Sequence, residues 1–191
     1  MGWEERFRLD GKVAVVTGAS YGLGVTFATS LADAGADIAI CARSREGLES
    51  TAKAVEALGR RCYIEQVDVT HWEQVDGFVQ NTIKELGKID VMVNNAGITD
   101  ARGLRSENVE FDAMDDVLAV DLNGLWYSTR AVAPHMLRRG SGSIINISSI
   151  LGTAAAEIRS IGYVAAKGAV NNLTKFLGVE WGDRNVRVNA I

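Results

Sequence analysis

A short apolar run followed at once by three glycines constrains the fold of this chain more than any other feature. Residues 12–17 read Lys-Val-Ala-Val-Val-Thr, a pattern typical of a buried parallel strand. Gly18, Gly22 and Gly24 follow directly, and a helical stretch runs from about Val25 to Ala34. Glycines let the backbone approach a pyrophosphate closely, and a helix N-terminus offers it free N–H groups. The segment therefore predicts a phosphate-binding turn, with a glycine-rich turn that binds nothing as the alternative.

The rest of the chain alternates apolar runs with helical stretches. The further predicted strands are Asp37–Ala42, Arg61–Val67, Ile89–Asn94, Ser143–Ser148 and Asn185–Ala190. Helical stretches separate these runs, the longest from about Met114 to Arg138. Such alternation implies right-handed crossovers and a parallel sheet. We expect one α/β domain of the Rossmann type, a doubly wound parallel sheet that binds its ligand at the carboxyl ends of its strands.

The end of the second strand predicts which dinucleotide binds. An acidic residue about twenty positions after the glycine loop would bind the ribose 2′-hydroxyl of NAD. The chain has no acid there and reads Ala-Arg-Ser-Arg over 42–45. Arg43 at the strand end suits a 2′-phosphate, because guanidinium binds phosphate through two parallel hydrogen bonds. The interpretation favours NADP over NAD, the alternative being that Arg43 and Arg45 are solvated loop charges.

Tyr163 and Lys167 lie four residues apart, with Ser148 and Ser149 shortly upstream. Residues at this spacing share one face of a helix. An ammonium beside a phenol favours the phenolate and lowers a tyrosine pKa from about 10 toward neutrality. A tyrosine so tuned can donate and accept a proton. We expect a second cation to assist, and an oxidised nicotinamide ring would serve.

Taken together, these motifs resemble those of the short-chain dehydrogenase/reductase family. The matching pieces are Thr17–Gly24, Asp68–Val69, Asn94–Gly97, Asn123 within Val120–Gly124, Ser149, and Tyr163 with Lys167. The motifs are similar in pattern to those of 3-oxoacyl-carrier-protein reductases and related sugar or polyol dehydrogenases. The resemblance implies an NADP(H)-dependent oxidoreductase that acts on a small carbonyl or secondary alcohol substrate.

The resemblance also implies a role for each matching residue. Tyr163 would be the general acid in reduction, Lys167 would lower its pKa and hold the nicotinamide ribose, and Ser149 would orient the substrate oxygen. Asn123 would hold a water that links Lys167 to solvent. The implied cofactor site comprises Gly18, Ser20, Tyr21, Gly22, Leu23, Gly24, Arg43, Asp68, Val69, Asn95, Ala96, Gly97, Tyr163 and Lys167.

Other polar residues compete for these roles. Ser148 is an alternative to Ser149, because alternation along a strand lets only one of them face a given side. Asp121, His71 and His135 fit neither a Ser/His/Asp order nor a metal-ligand spacing. We interpret these three as surface residues or as residues that lie behind the site, and we predict no metal site.

Composition restricts the class of protein. The 191 residues are 47% hydrophobic and 23% charged, with a net charge of −4, as in a soluble globular domain. The absence of a basic run argues against nucleic acid as a partner. Cys41 and Cys62 indicate reduced thiols of a cytoplasmic protein. No stretch approaches the roughly 20 apolar residues that cross a membrane, and the N-terminus has no apolar signal region.

The C-terminal end departs from the family pattern. Family members continue beyond such a sixth strand with a Pro-Gly turn, a substrate-covering segment and a seventh strand. We therefore expect residues 1–191 to be a single nucleotide-binding domain that is truncated at its C-terminal end. The alternative function is a nucleotide-binding but catalytically impaired subunit or a regulatory relative. The helices near 114–138 and 163–182 match those that pair in family oligomers, which predicts a homodimer or homotetramer.

Overall fold

A parallel sheet forms the centre of the protein. The computed structural model describes residues 4–100 and 102–191, and this part of the chain holds six strands in the order β3-β2-β1-β4-β5-β6. The strands are β1 Val13–Thr17, β2 Asp37–Ala42, β3 Cys62–Gln66, β4 Val91–Asn94, β5 Gly142–Asn146 and β6 Val186–Ala190. Every neighbouring pair is parallel. This is the Rossmann strand order, so the predicted doubly wound α/β fold is confirmed.

Six α-helices within the same described ranges connect and cover the strands. They are α1 Leu23–Asp33, α2 Arg45–Ala57, α3 Trp72–Leu86, α4 Phe111–Leu118, α5 Leu125–Arg139 and α6 Ile161–Gly182. Short 3₁₀ turns occupy Glu4–Phe7, Ser106–Asn108 and Ile150–Gly152, and a π-helical segment, Ala119–Gly124, joins α4 to α5. No helix among the described residues is both long and apolar enough to span a bilayer.

The two faces of the sheet carry separate hydrophobic cores. Val16 and Ile40 face α1 and α2, where they pack with Ala28 and Leu48. The neighbouring residues along the same strands point the opposite way, toward the helices α3, α5 and α6; that core includes Val15, Ala39, Cys41, Phe78, Met136, Ile144, Leu177 and Trp181. Successive strand residues alternate between faces. The continuous apolar runs of the sequence are therefore explained by burial on both sides.

Buried carboxylates fix the amino ends of the strands. Asp37, which begins β2, lies 2.7 Å from one guanidinium nitrogen each of Arg60 and Arg61. Burial opposes the ionisation of Asp37, but the hydrogen bonds from Arg61 and the nearby charges outweigh it and hold its pKa below the usual range. Asp90, before β4, accepts the Val13 N–H at 3.0 Å. The candidate functional site lies at the opposite edge of the sheet, where the strands have their carboxyl ends.

Two boundaries differ from expectation in ways that affect the site. The strand expected over 143–148 ends at Asn146, so Ser148 and Ser149 lie in the loop beyond it. The single long helix expected near 114–138 is interrupted by the π-helical segment Ala119–Gly124. Such π-segments are frequent at functional sites, and a periodicity analysis does not detect them. Both departures place polar side chains at the carboxyl edge of the sheet.

Candidate active site

Two glycines of the loop, Gly18 and Gly24, lie in contacts that leave no room for a larger residue. Gly18 has φ +67, and a Cβ on it would lie 2.8 Å from the Ala96 Cα. A Cβ on Gly24 would lie 2.4 Å from the Gly18 carbonyl oxygen and 2.8 Å from Asn95 Nδ2. The Gly18 N–H donates to the Cys41 carbonyl of β2 at 2.8 Å. The loop is therefore packed directly on the two neighbouring strand ends.

The N-terminus of α1 carries no side-chain cap. Its N-cap residue, Gly22, has φ 61 and makes no capping hydrogen bond. The first N–H groups of a helix have no partner within the helix, and together with the helix dipole they attract an anion. The glycine loop and the bare helix end thus form a cradle that fits the pyrophosphate of a dinucleotide.

Asn95 and Thr17 lock the loop after β4 to the glycine loop. The Thr17 hydroxyl oxygen accepts the Asn95 and Ala96 N–H groups, each at 3.1 Å. The Asn95 side-chain amide donates to the carbonyls of Thr17 at 2.9 Å and Gly18 at 3.1 Å. The side-chain amide of Asn95 is therefore engaged with the protein. The backbone of this loop, which lines the cleft, is the part that can contact a ligand.

A cleft of about 720 Å³ runs along this edge of the sheet. All the predicted cofactor-binding residues except Tyr163 and Lys167 line it, namely Gly18, Ser20, Tyr21, Gly22, Leu23, Gly24, Arg43, Asp68, Val69, Asn95, Ala96 and Gly97. Ile98 and Val120 line it as well. Sequence motifs from four strand ends and one helix are therefore brought to one cavity.

The two arginines after β2 differ in their surroundings. Arg45 pairs with Glu49 at 2.8 Å on the outside of α2. Arg43 lines the cleft and lies near Asp68. Burial opposes the ionisation of Asp68, but hydrogen bonds from the Thr70 N–H and hydroxyl outweigh it and keep its pKa low. Of the two arginines, Arg43 alone faces the cleft.

Beyond the cleft, α6 places Lys167 and Tyr163 together. Lys167 is only 3% exposed, and its Nζ donates to the Ile147 carbonyl at 2.9 Å. The same Nζ lies 5.3 Å from the centroid of the Tyr163 ring. Tyr163 is half-buried, and no described residue hydrogen-bonds its hydroxyl. A buried ammonium and a phenol without a hydrogen-bond partner in the described part of the chain therefore lie side by side on α6.

The two serines after β5 have different partners. The Ser148 hydroxyl bonds the Asn171 side chain at 2.5 Å and so ties the loop to α6. Ser149 Oγ accepts the Leu151 N–H at 3.2 Å, which leaves its own proton available. The sequence left both serines open as the donor to the substrate oxygen. The structure favours Ser149, because the Ser148 hydroxyl is bonded to the protein and the Ser149 hydroxyl can still donate.

The structure does not place the Asn123 side chain beside Lys167. Asn123 is exposed and does not line the cleft. Residues two apart on a helix do not share a face. Asp121 is the residue of this segment that turns inward: it is fully buried, with Oδ2 at 3.0 Å from Lys167 Nζ and Oδ1 accepting the Ile98 N–H at 2.7 Å.

The sequence left Asp121 either at the surface or behind the site, and the structure places it behind the site, fully buried against the Lys167 ammonium. Burial raises its pKa, and the Lys167 ammonium and the Ile98 N–H oppose that effect. The signal that could have identified it is an acidic residue in an otherwise apolar helical stretch, which demands a buried partner. His71 and His135 lie away from the cleft, as the sequence predicted, and contact Thr70 and Gln80 there.

The fold and the cleft are those of a Rossmann-type α/β protein, and comparison with known proteins identifies its family. The model of the short chain dehydrogenase family matches residues 12–191. Gluconate 5-dehydrogenase of Gluconobacter oxydans is 36% identical over 194 residues, which cover 100% of this chain and 73% of that protein. A 3-oxoacyl-acyl-carrier-protein reductase of Thermotoga maritima is 37% identical over 185 residues, 96% of this chain and 74% of that protein.

Solved structures agree. Gluconate 5-dehydrogenase from Burkholderia cenocepacia in complex with NADP and tartrate superposes with a TM-score of 0.91 at 36% identity, covering 99% of this chain and 73% of that one. Carveol dehydrogenase from Mycobacterium avium in complex with NAD superposes with a TM-score of 0.92 at 34% identity, covering 96% of this chain and 70% of that one. The chain belongs to the short-chain dehydrogenase family and is an oxidoreductase of that family, acting on alcohol or carbonyl groups.

Proposed function

We propose that this protein transfers hydride between NADP(H) and a small carbonyl or secondary alcohol substrate, with Tyr163 as the general acid of reduction. The observation that carries the proposal is the buried Lys167 ammonium, 5.3 Å from the Tyr163 ring, at the same sheet edge as the cleft. The predicted binding residues fit a dinucleotide because Gly18 and Gly24 leave no room for a Cβ and the N-terminus of α1 is uncapped. The nicotinamide supplies the hydride; the protein supplies position and the proton.

The chain's own residues account for the proton step. When the carbonyl carbon gains hydride, the substrate oxygen gains negative charge and takes the proton of the Tyr163 hydroxyl. The Lys167 ammonium stabilises the phenolate that remains. The Ser149 hydroxyl, whose proton is free, donates to the same substrate oxygen and orients it. In alcohol oxidation the phenolate takes the proton back.

Turnover with Tyr163→Phe tests this proposal. NADPH oxidation is followed against a panel of ketones, keto-acyl thioesters and keto-sugars. Loss of the general acid should lower kcat by about 10²- to 10⁴-fold, while NADPH fluorescence still reports binding. Undiminished turnover in the variant would refute the role of Tyr163. Binding without turnover in the unmodified protein would favour the alternative of a catalytically impaired nucleotide-binding protein.

Cofactor preference rests on Arg43, which lines the cleft beside Ser44, the N-cap of α2. A hydrogen bond to a charged group contributes about 1.5–3 kcal/mol. Arg43→Ala should therefore raise the KM for NADPH by roughly 10- to 100-fold and change that for NADH little. Arg45→Ala is the matched control, because Arg45 pairs with Glu49 outside the cleft. An unchanged preference in Arg43→Ala would mean that Arg43 does not hold the 2′-phosphate.

Assembly into a homodimer or homotetramer also belongs to the proposal. Phe111 on α4 is 89% exposed, and Phe176 and Val179 on α6 are 63% and 86% exposed. Phe176 and Val179 are three residues apart and share one face of α6, and exposed apolar side chains that share a face mark an interaction surface. Sedimentation should give an oligomer that Phe176→Glu weakens, whereas a monomer at all concentrations would contradict the proposal.

A further inference from the structure

Lys167 does not stand alone beside Tyr163. The Asp121 carboxylate lies within about 8 Å of the Tyr163 ring, because Lys167 Nζ is 3.0 Å from one and 5.3 Å from the other. Asp121 is fully buried, and the side chain of Lys167 is only 4% exposed. Water therefore screens neither charge, and their effect on the phenol is stronger than that of a surface pair.

The carboxylate is also held rigidly. Asp121 Oδ1 accepts the Ile98 N–H at 2.7 Å, and Ile98 belongs to the loop that lines the cleft. A Cβ on Gly97 would lie 2.9 Å from Oδ2, so only glycine leaves room for the carboxylate there. On the other side, Lys167 Nζ is fixed by the Ile147 carbonyl. The chain thus places a carboxylate from the π-helical segment against an ammonium and a phenol on α6, with the carboxylate anchored to the loop after β4 and the ammonium to the loop after β5.

Among the described residues, the polar contacts of Asp121 are with the Lys167 ammonium on α6 and the Ile98 N–H after β4. The ammonium in turn contacts the Ile147 carbonyl after β5 and lies beside the Tyr163 ring. The negative charge opposes what the ammonium does, because a like charge disfavours the phenolate. The net charge beside the phenol is therefore near zero and not +1.

We propose that Asp121 is a positioning residue of the proton-transfer site: its carboxylate holds the Lys167 ammonium and offsets its charge, so that Tyr163 keeps its proton to a higher pH than the ammonium alone would allow. The inference rests on the proposed function insofar as Tyr163 acts as the proton donor. A phenol that remains protonated at neutral pH suits carbonyl reduction, which consumes that proton, better than alcohol oxidation, which needs the phenolate. The π-helical segment provides the geometry, since it turns Asp121 inward between the loop after β4 and α6.

Tyrosinate absorbance tests the inference without any substrate. The titration of Tyr163 is obtained by subtracting the spectra of Tyr163→Phe from those of the unmodified protein, which cancels the other three tyrosines. The same subtraction is made in an Asp121→Asn background. Asparagine keeps the acceptor for the Ile98 N–H and removes the charge. We expect the Tyr163 midpoint to fall by about one pH unit, the size of a unit-charge effect at this range in a partly screened interior.

The control is Asp116→Asn on α4, an exposed residue that undergoes the same charge change. It should leave the midpoint in place. Asp121→Ser serves as a second uncharged variant if asparagine does not fold, and circular dichroism checks folding of both. The inference is overturned if the Tyr163 midpoint in the folded Asp121 variants equals or exceeds that in the unmodified protein. It is also overturned if no Tyr163 midpoint is detected in either the unmodified protein or the variants.

Kinetics then separate this inference from the function on which it rests. If the unmodified protein reduces a carbonyl, the pH profile of kcat/KM for alcohol oxidation should shift to lower pH in Asp121→Asn by the same amount as the absorbance midpoint. Absence of turnover in the unmodified protein would refute the proposed function and leave the absorbance result standing. Turnover that depends on Tyr163, together with an unshifted midpoint, would refute the role of Asp121 alone.

Discussion

Gly24→Ala places a methyl group where the backbone itself leaves no room. The new Cβ would lie 2.4 Å from the Gly18 carbonyl oxygen and 2.8 Å from the Ala19 Cα. These atoms belong to the turn that binds phosphate in the proposed function, and they cannot move aside as the end of a side chain could. Overpacking of this kind costs about 1–3 kcal/mol. Alanine in a helix returns about 0.5–1 kcal/mol relative to glycine, so the midpoints of the two ranges give a net loss of about 1 kcal/mol.

Gly77→Ala is the matched comparison. Gly77 also lies within a helix, α3, and a Cβ on it would meet nothing within 4 Å. The same chemical change there should stabilise the protein by about 0.5–1 kcal/mol. For a domain of this size, thermal unfolding should place Gly24→Ala about 2–4 °C below the unmodified protein and Gly77→Ala about 1–4 °C above it.

Ligand binding adds a second measurement to this pair. The Cβ of Gly24→Ala would also lie 2.8 Å from Asn95 Nδ2, which donates to the Thr17 and Gly18 carbonyls. Displacement of that amide loosens the cradle, so NADPH affinity measured by fluorescence should fall in Gly24→Ala and persist in Gly77→Ala. A Gly24→Ala protein that melts at or above the unmodified protein and binds NADPH as Gly77→Ala does would refute the packing argument.

Two further predictions concern stability and thiol chemistry. Asp37→Asn should lower the free energy of unfolding at pH 7 by about 1–3 kcal/mol, because hydrogen bonds from two guanidinium groups lose their charged acceptor. Because folding lowers the pKa of Asp37, its contribution to stability is complete above the unfolded pKa of about 4 and is lost as the pH falls through the folded pKa. Urea unfolding should therefore show a difference in stability between the unmodified protein and Asp37→Asn that is smaller at pH 3 than at pH 7. A difference that is the same at both pH values would contradict this prediction. Burial raises the pKa of Cys62 to about 12 and raises that of the more deeply buried Cys41 as well. A thiol reagent at pH 8 should therefore modify Cys62 slowly and Cys41 only in urea, and rapid native labelling of Cys41 would contradict its burial.

The fold was predictable because its signals are local. A β-branched run such as 12–17 predicts a buried strand, and the glycines that follow predict a turn with backbone at positive φ, as Gly18 and Gly22 have. The alternation of strands and helices then determines which strand ends meet. Residues distant in the chain, such as Arg43 and Asn95, could therefore be assigned to one cleft from the amino-acid sequence alone.

The inner part of the site was less predictable because side-chain direction decides it. The motif directed attention to Asn123 as the residue that holds a water beside Lys167, but in the π-helical segment Asp121 is the residue that is buried, and Asn123 is exposed. A π-helical turn holds one more residue than an α-helical turn would, so every side chain after it is rotated about the helix axis. No periodicity rule indicates where such a turn occurs. The different partners of Ser148 and Ser149 depend likewise on a strand that ends two residues earlier than its apolar pattern predicts.

The structure of this protein with NADPH bound is the measurement that tests the account most directly. We expect the pyrophosphate on the N–H groups at the start of α1, the 2′-phosphate against Arg43, and the nicotinamide ribose at Lys167 with the ring near Tyr163. A dinucleotide bound elsewhere, or one whose nicotinamide lies away from Tyr163 and Lys167, would contradict the proposed function.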